Sequence, residues 1–253
     1  MLRKVDATRY VMPLREGGSL PGLVEADDDG LYVVKFRGAG QGVKALVAEV
    51  IVGELARAVG LRTPELVMVQ ISPDLGRTEP DPEINDLITV SSGINCGVDF
   101  LPGALDYSPA RPGSTDPHEA SEIVWFDALT TNVDRTPRNP NLLVWHGRIW
   151  LIDHGAALYQ HHAERDLPAR ARESFPLISE HVLLPLATHL READAHLVPL
   201  LTDAVVAGAV SQVPDEWLGD APDDARQRYV DYFSARLVAP RVFLSDAEAA
   251  YGA

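Results

Sequence analysis

Asp134, Asn139 and Asp153 stand in an order and a setting that suit the chemistry of phosphoryl transfer. They share one stretch. Asn132-Val133-Asp134-Arg135-Thr136-Pro137-Arg138-Asn139-Pro140-Asn141 is a polar loop, and Leu142 to Trp145 and Arg148 to Ile152 flank a His146-Gly147 turn. Asp153-His154-Gly155 closes the stretch. Phosphoryl transfer needs one carboxylate to orient a hydroxyl and take its proton. It also needs an amide oxygen and a second carboxylate to hold Mg²⁺ on the phosphates of ATP. Positioning and charge neutralisation do most of the catalysis. Taken singly, each of the three is more simply a turn residue bonded to nearby backbone. Together, around a hairpin whose strands are neighbours, they favour the joint reading.

A triphosphate also needs a fixed cation. Lys35 sits in the strand-like run Leu31-Tyr32-Val33-Val34-Lys35-Phe36, an odd place for a charge unless a partner meets it. Glu49, early in the next helical pattern, is the natural partner, with Glu54 second; a solvated edge strand is the plainer alternative for Lys35. Gly17-Gly18-Ser19, in a turn between the first strands, has the small residues that let backbone N–H groups approach phosphates, although ordinary hairpins use the same pair. Gly38-Ala39-Gly40-Gln41-Gly42-Val43 follows a strand and opens a helix like a dinucleotide fingerprint. However, Val43 stands where its third glycine should be, and no Gly-Lys-Ser/Thr ends it.

The elements that must position these residues form two blocks. Strands are expected over 8–14, 19–26, 31–36, 66–71 and 87–90, with a helix from Val43 to Val59 that stops at Gly60. Residues 73–86 and 106–117 read as Pro-rich loops, and 91–103 as a polar crossing. A helix follows from His118 to Thr131, then the hairpin, then a helical remainder from about 176 to 250. This is an α+β chain of two lobes, residues 1–100 and 101–253, with the boundary near 97–105.

Composition narrows the class. A net charge of −15 over 253 residues, without a basic patch, argues against direct nucleic-acid binding and against an anionic membrane. One cysteine, Cys96, excludes an internal disulfide and a thiolate zinc cluster. No apolar run approaches the roughly 20 residues that span a bilayer, and the N-terminus lacks a signal-like stretch, so a cytoplasmic location is expected. His161 and His162 are adjacent and should diverge on a helix. His181, His189 and His196 read as surface or packing residues, and Trp145 and Trp150 as cross-strand packing.

The segment 132–155 resembles the catalytic and metal-binding loops of the HipA-like kinases. It is also similar to those of the phosphatidylinositol 3- and 4-kinases. The stretch from Glu49 to Gly60-Leu61-Arg62-Thr63-Pro64 is similar to the Glu-led helix of the HipA-like proteins. The resemblance covers roughly residues 14–160 and implies a bilobed protein-kinase-like fold with a small β-rich N-lobe and a helical C-lobe. By it, Asp134 is the catalytic base, Asn139 and Asp153 are Mg²⁺ ligands with Asn141 a weaker alternative, and Lys35–Glu49 positions ATP. Cys96 to Gly103 takes the place of the interlobe hinge, where backbone near Val98, Asp99, Phe100 and Leu101 would meet adenine. Thr136 stands for the usual His, and His154 for the usual Phe. The implied activity is ATP- and Mg²⁺-dependent transfer to a hydroxyl, foremost a protein Ser or Thr. A small-molecule or lipid acceptor is one alternative, and a partner-binding pseudokinase another; a small regulatory partner protein fits either.

Overall fold

Alternation along the strands sorts the first third of the chain into two faces. The structure, a computed structural model, describes residues 1–14, 20–77, 79–110, 115–163 and 166–252. Strands β1 (Lys4–Pro13), β2 (Gly22–Ala26), β3 (Leu31–Lys35), β4 (Leu66–Ile71) and β5 (Gly93–Asp99) close a barrel in the order β1-β2-β3-β5-β4. All neighbouring pairs are antiparallel except β1 with β4, which run parallel through Lys4↔Met68 to Asp6↔Gln70. Val24, Val34, Val67 and Val69 share one cluster with Ile84 and Ile88 of helix α2 (Pro82–Val90). Leu66, Met68, Cys96 and Val98 share another with helix α1 (Gly42–Ala58). Lys35 follows Val34 and therefore faces α1.

Helix α1 is buried from Ala45 to Ile51 and again over most of its second half. Gly60, at φ +83°, ends it: Leu61 N–H donates to Ala56 O at 3.0 Å and Gly60 N–H to Arg57 O at 3.1 Å, satisfying carbonyls the helix leaves open.

Two expectations are corrected here. Leu87 to Val90, expected as a strand, is the end of α2. Asp81 caps that helix by accepting from Glu83 N–H at 3.0 Å, and Pro82 sets its first turn. Start signals and the Ile84/Ile88 spacing thus outweigh the β-branched run. Residues 91–103, expected as a crossing, contain β5, which pairs with both β3 and β4. Its two glycines and Asn95 conceal it. A Cβ at Gly97 would stand 2.5 Å from Val69 Cγ2 and 2.8 Å from Val67 Cγ2, so packing demands glycine there. Asn95 is buried with its carboxamide bonded to Ser91 O, Gly93 O and Arg37 N–H.

The second lobe begins with a short strand β6 (Leu105–Asp106) and helix α3 (Pro117–Thr130). Asp116 caps α3, accepting from His118 N–H at 2.7 Å, and Thr131 ends it in the left-handed region at φ 52°. The hairpin β7 (Leu142–Trp145) and β8 (Arg148–Leu151) joins β6 in a three-stranded sheet. Beyond it come α4 (Tyr159–His162), α5 (Leu190–Leu197), α6 (Asp203–Val210), α7 (Pro222–Leu237) and α8 (Val242–Tyr251). The helical remainder expected from about 176 to 250 holds the helices α5 to α8, with 3₁₀ turns before and between them. Pro176, Pro185 and Pro199 each open a short 3₁₀ turn, because proline cannot extend a preceding helix.

Gly97→Val should destabilise the fold by about 1–3 kcal/mol through overpacking against Val67 and Val69. Chemical denaturation of the two proteins measures it, and an unchanged midpoint would show that β4 can yield.

Candidate active site

A buried ion pair beneath the polar loop fixes its path. Asp127, on α3, and Arg135, in the loop, are both fully out of solvent, with Arg135 Nε 2.5 Å from Asp127 Oδ2. His181 Nε2 meets the same carboxylate oxygen at 2.9 Å, and Asn132 Nδ2 donates to Oδ1 at 3.1 Å. Arg135 also donates to the carbonyl of Asn141 and, at 3.3 Å, to that of Ile152. Its own carbonyl accepts from Val182 N–H at 3.0 Å. Arg135 therefore ties together the loop and the end of the hairpin through its guanidinium, and the segment at 181–182 through its carbonyl. Burial alone would raise the Asp127 carboxyl, but Arg135 and His181 hold it well below the usual carboxylate range.

On that base the loop presents Asp134. Asn132 Oδ1 accepts from Asp134 N–H at 3.1 Å, which sets the turn. Asp134 Oδ2 accepts from Asn139 Nδ2 at 2.8 Å and from Asn141 Nδ2 at 3.2 Å. Asn139 is exposed at the loop's rim, whereas Asn141 is 9% exposed and adopts φ 49°. Ile152 N–H donates to Asn141 O at 3.1 Å, so Asn141 is bound to the residue before Asp153.

Asp153, also left-handed at φ 55°, points across to the other lobe. Lys35 Nζ lies 2.6 Å from Asp153 Oδ1 and 2.6 Å from Glu49 Oε2. Glu49 is nearly inaccessible, at 1%, while the Asp153 side chain is 41% exposed, so this three-residue bridge is closed on the α1 side and open on the other. Lys35 lowers the Asp153 carboxyl. Burial raises that of Glu49 despite Lys35 and a bond from the His154 N–H. Burial opposes the charge on Lys35, but the two carboxylates push its pKa above the ordinary lysine value. Glu54 instead pairs with Arg57. A small cleft beside the bridge is lined by Lys35, Asp153, Gly155, Ala45, Gln41 and Gly42.

The other sequence candidates fall less simply. Gly17, Gly18 and Ser19 lie outside the described residues. Val98 and Asp99 are in β5, and the chain leaves the barrel only at Phe100. The Asp99 N–H is spent on Glu65 O at 2.8 Å and that of Phe100 on Leu31 O at 2.9 Å, so neither is free for adenine. Leu101 is buried, and its carbonyl accepts from Ala104 N–H.

Sequence reasoning passed over Asp127 and gave His181 a surface or packing role. A lone acid inside Ile123-Val-Trp-Phe-Asp127-Ala-Leu was the available signal, since an unpaired buried carboxylate is costly. His161 and His162 also differ from expectation, with Nε2 atoms 3.1 Å apart. Helix α4 is a single turn entered from Leu158 in the left-handed region at φ 54°, so the divergence of a regular helix does not apply. His162 Nε2 further meets Gly155 O at 3.1 Å, and His161 Nδ1 meets Tyr229 Oη at 2.9 Å. Trp145 and Trp150 pack edge to face across the hairpin at 5.1 Å.

Burial pushes His161 down to about 3, so the folded protein keeps it neutral while the unfolded chain protonates it near 6.5. The unfolded state then binds more protons below that pH, and stability falls as pH drops from about 6.5 toward 3. His161→Gln should make this decline shallower by up to about 1.4 kcal/mol per pH unit, read from urea titrations at several pH values. Parallel curves for parent and variant would show that His161 takes up its proton alike in the folded and unfolded states.

Comparison with known proteins agrees with this architecture. A family model described as HipA-like kinase matches residues 8–239. The search of curated proteins finds no match. Among solved structures, the Helicobacter pylori proinflammatory kinase CtkA is similar with a TM-score of 0.53 at 13% identity, over 92% of this chain and 97% of that one. The Golgi casein kinase, solved with Mn/ADP bound, gives a TM-score of 0.50 at 14% identity, over 93% of this chain and 72% of that one. At such identities the likeness is one of fold: a small closed β N-lobe and a larger helical C-lobe. The family match extends over most of the length, and the chain is a member of the HipA-like kinases, a family of phosphotransferases.

Proposed function

We propose that the chain transfers the γ-phosphate of Mg²⁺-bound ATP to a protein Ser or Thr hydroxyl, with Asp134 as the base. The bridge Glu49–Lys35–Asp153 carries the reading, because it joins a buried acid of one lobe to an open carboxylate of the other through a single ammonium. Lys35 would bind phosphate oxygens while Glu49 keeps it in place. The donor set suits Mg²⁺, which takes hard oxygen ligands. Only Oδ1 of Asp153 is engaged by Lys35, and both asparagines turn their Nδ2 to Asp134, leaving amide oxygens available. Asp153 with Asn139 or Asn141 would hold the ion, which when bound neutralises charge on the transferring phosphoryl group. The greater burial of Asn141 and its bond to Ile152 favour it more than sequence spacing did.

Asp134 has no cationic partner among the described residues and takes only amide hydrogen bonds, so its carboxylate is free to orient a hydroxyl. Beside its loop lies a cleft of about 980 Å³ lined by Thr136, Pro137, Arg138, Val182, Leu184 and Tyr251, among others, which is room for several side chains. That space supports a polypeptide acceptor over a small one.

Asp134→Asn should lower phosphotransfer by about 10²–10⁴-fold and leave nucleotide binding nearly unchanged. Labelled γ-phosphate transfer to cell-extract protein measures the first. Thermal unfolding with and without Mg–ATP measures the second, a ligand at 100 times its dissociation constant adding about 2.7 kcal/mol. A variant as active as the parent removes Asp134 from the role. Asp153→Ala should abolish the Mg²⁺-dependent part of that stabilisation. Comparing Asn139→Ala with Asn141→Ala identifies the second ligand as whichever loses it.

A further inference from the structure

The hydrophobic cluster that holds α1 is not confined to the N-lobe. Leu46, Val47, Val50, Ile51 and Leu55 of α1 belong to the same continuous core as Val206, Ala209 and Val210 of α6, with Val213 and Trp217 beyond it. Helix α6 packs against α1, and so does the short turn Asp215–Trp217. Polar links run the same way. Arg37 Nη1, just past the lysine strand, lies 2.9 Å from Glu216 Oε1, and Lys44 Nζ donates to His161 O at 2.9 Å. The face of the barrel away from α1 has its own cluster, closed by α2. The helix that carries Glu49 is thus seated on the C-terminal part of the chain as well as on the sheet beside it.

We infer that Asp203–Trp217 is a built-in brace that holds α1 in the position where Glu49 meets Lys35. This inference rests on the proposed role of that pair and assigns work to a stretch that carries no chemistry of its own. Trp217 is its keystone: it is 4% exposed and belongs to the cluster shared with α1, yet its Nε1 meets no hydrogen-bond partner among the described residues. The bulk of its ring, rather than a polar contact, is what the position uses. With this support the lysine–glutamate pair assembles within one chain, and no activating partner is needed to press α1 inward. Trp217 and Val206 are positioning residues; neither is among those proposed to touch nucleotide.

Hydrogen exchange of the full chain tests it, comparing α1 (Gly42–Ala58) with β5 (Gly93–Asp99) in Trp217→Ala, Trp217→Phe and Val206→Ala. Trp217→Ala should speed exchange in α1 by at least about tenfold while β5 stays at the parent's rate, as expected when one unit opens on its own. KM for Mg–ATP should rise with it, and Trp217→Phe should restore both. Equal acceleration in α1 and β5 would mark a general loss of stability and overturn the inference, as would unchanged exchange in α1. If Trp217→Ala does not fold, Val206→Ala, a smaller cavity, is read against the same two outcomes. A parent chain that Mg–ATP fails to stabilise would sink the phosphotransfer reading, while the exchange comparison would still decide the brace.

Discussion

The contact between Asp127 and Arg135 is the constraint on which the rest of the second lobe depends. Both side chains are dehydrated, and neither charge could persist there alone, since an unpaired buried ion costs several kcal/mol. The pair is tolerated because further polar partners surround it: His181 and Asn132 on the carboxylate, and the carbonyls of Asn141 and Ile152 with the His154 ring on the guanidinium. Those carbonyls belong to Asn141 and to Ile152, the residue before Asp153. The electrostatic need of one guanidinium thereby determines where two asparagines and an aspartate stand.

The first lobe contributes a different kind of order. Strand alternation sends Lys35 toward α1, and the apolar surroundings of α1 leave Glu49 one cationic partner among the described residues. Three residues of the joint site are held by polar contacts across 118 positions of sequence, from Lys35 to Asp153. Some backbone strain falls at the same place. Asn141 and Asp153 adopt positive φ without being glycine, a conformation that costs of order 1–3 kcal/mol and persists where the surrounding contacts over-determine it.

Much of this was legible before any coordinates. The order of Asp134, Asn139 and Asp153 around a hairpin could be read because each lies in a short local pattern, and Lys35 was conspicuous as a charge inside an apolar strand. What stayed hidden depends on partners far away in sequence. Asp127 and His181 are 54 residues apart, and nothing local marks them as neighbours. Strand β5 was lost for a related reason: its glycine at 97 is demanded by two valines on another strand, so its composition reflects its neighbour rather than its own propensity. In the segment Leu87 to Val90, local β propensity was present but was overridden by the cap at Asp81 and by burial of Ile84 and Ile88.

The parallel pairing of β1 with β4 has a consequence for how other molecules can approach the smaller lobe. Closure gives β2, β3, β4 and β5 a strand on each side, so among the described residues an incoming polypeptide finds an open edge only along β1 beyond Asp6, which β4 does not reach. Self-templated aggregation through that lobe is discouraged for the same reason. What docks on the other faces is recognised by side-chain shape and charge, and the net charge of −15 on the whole chain favours cationic visitors.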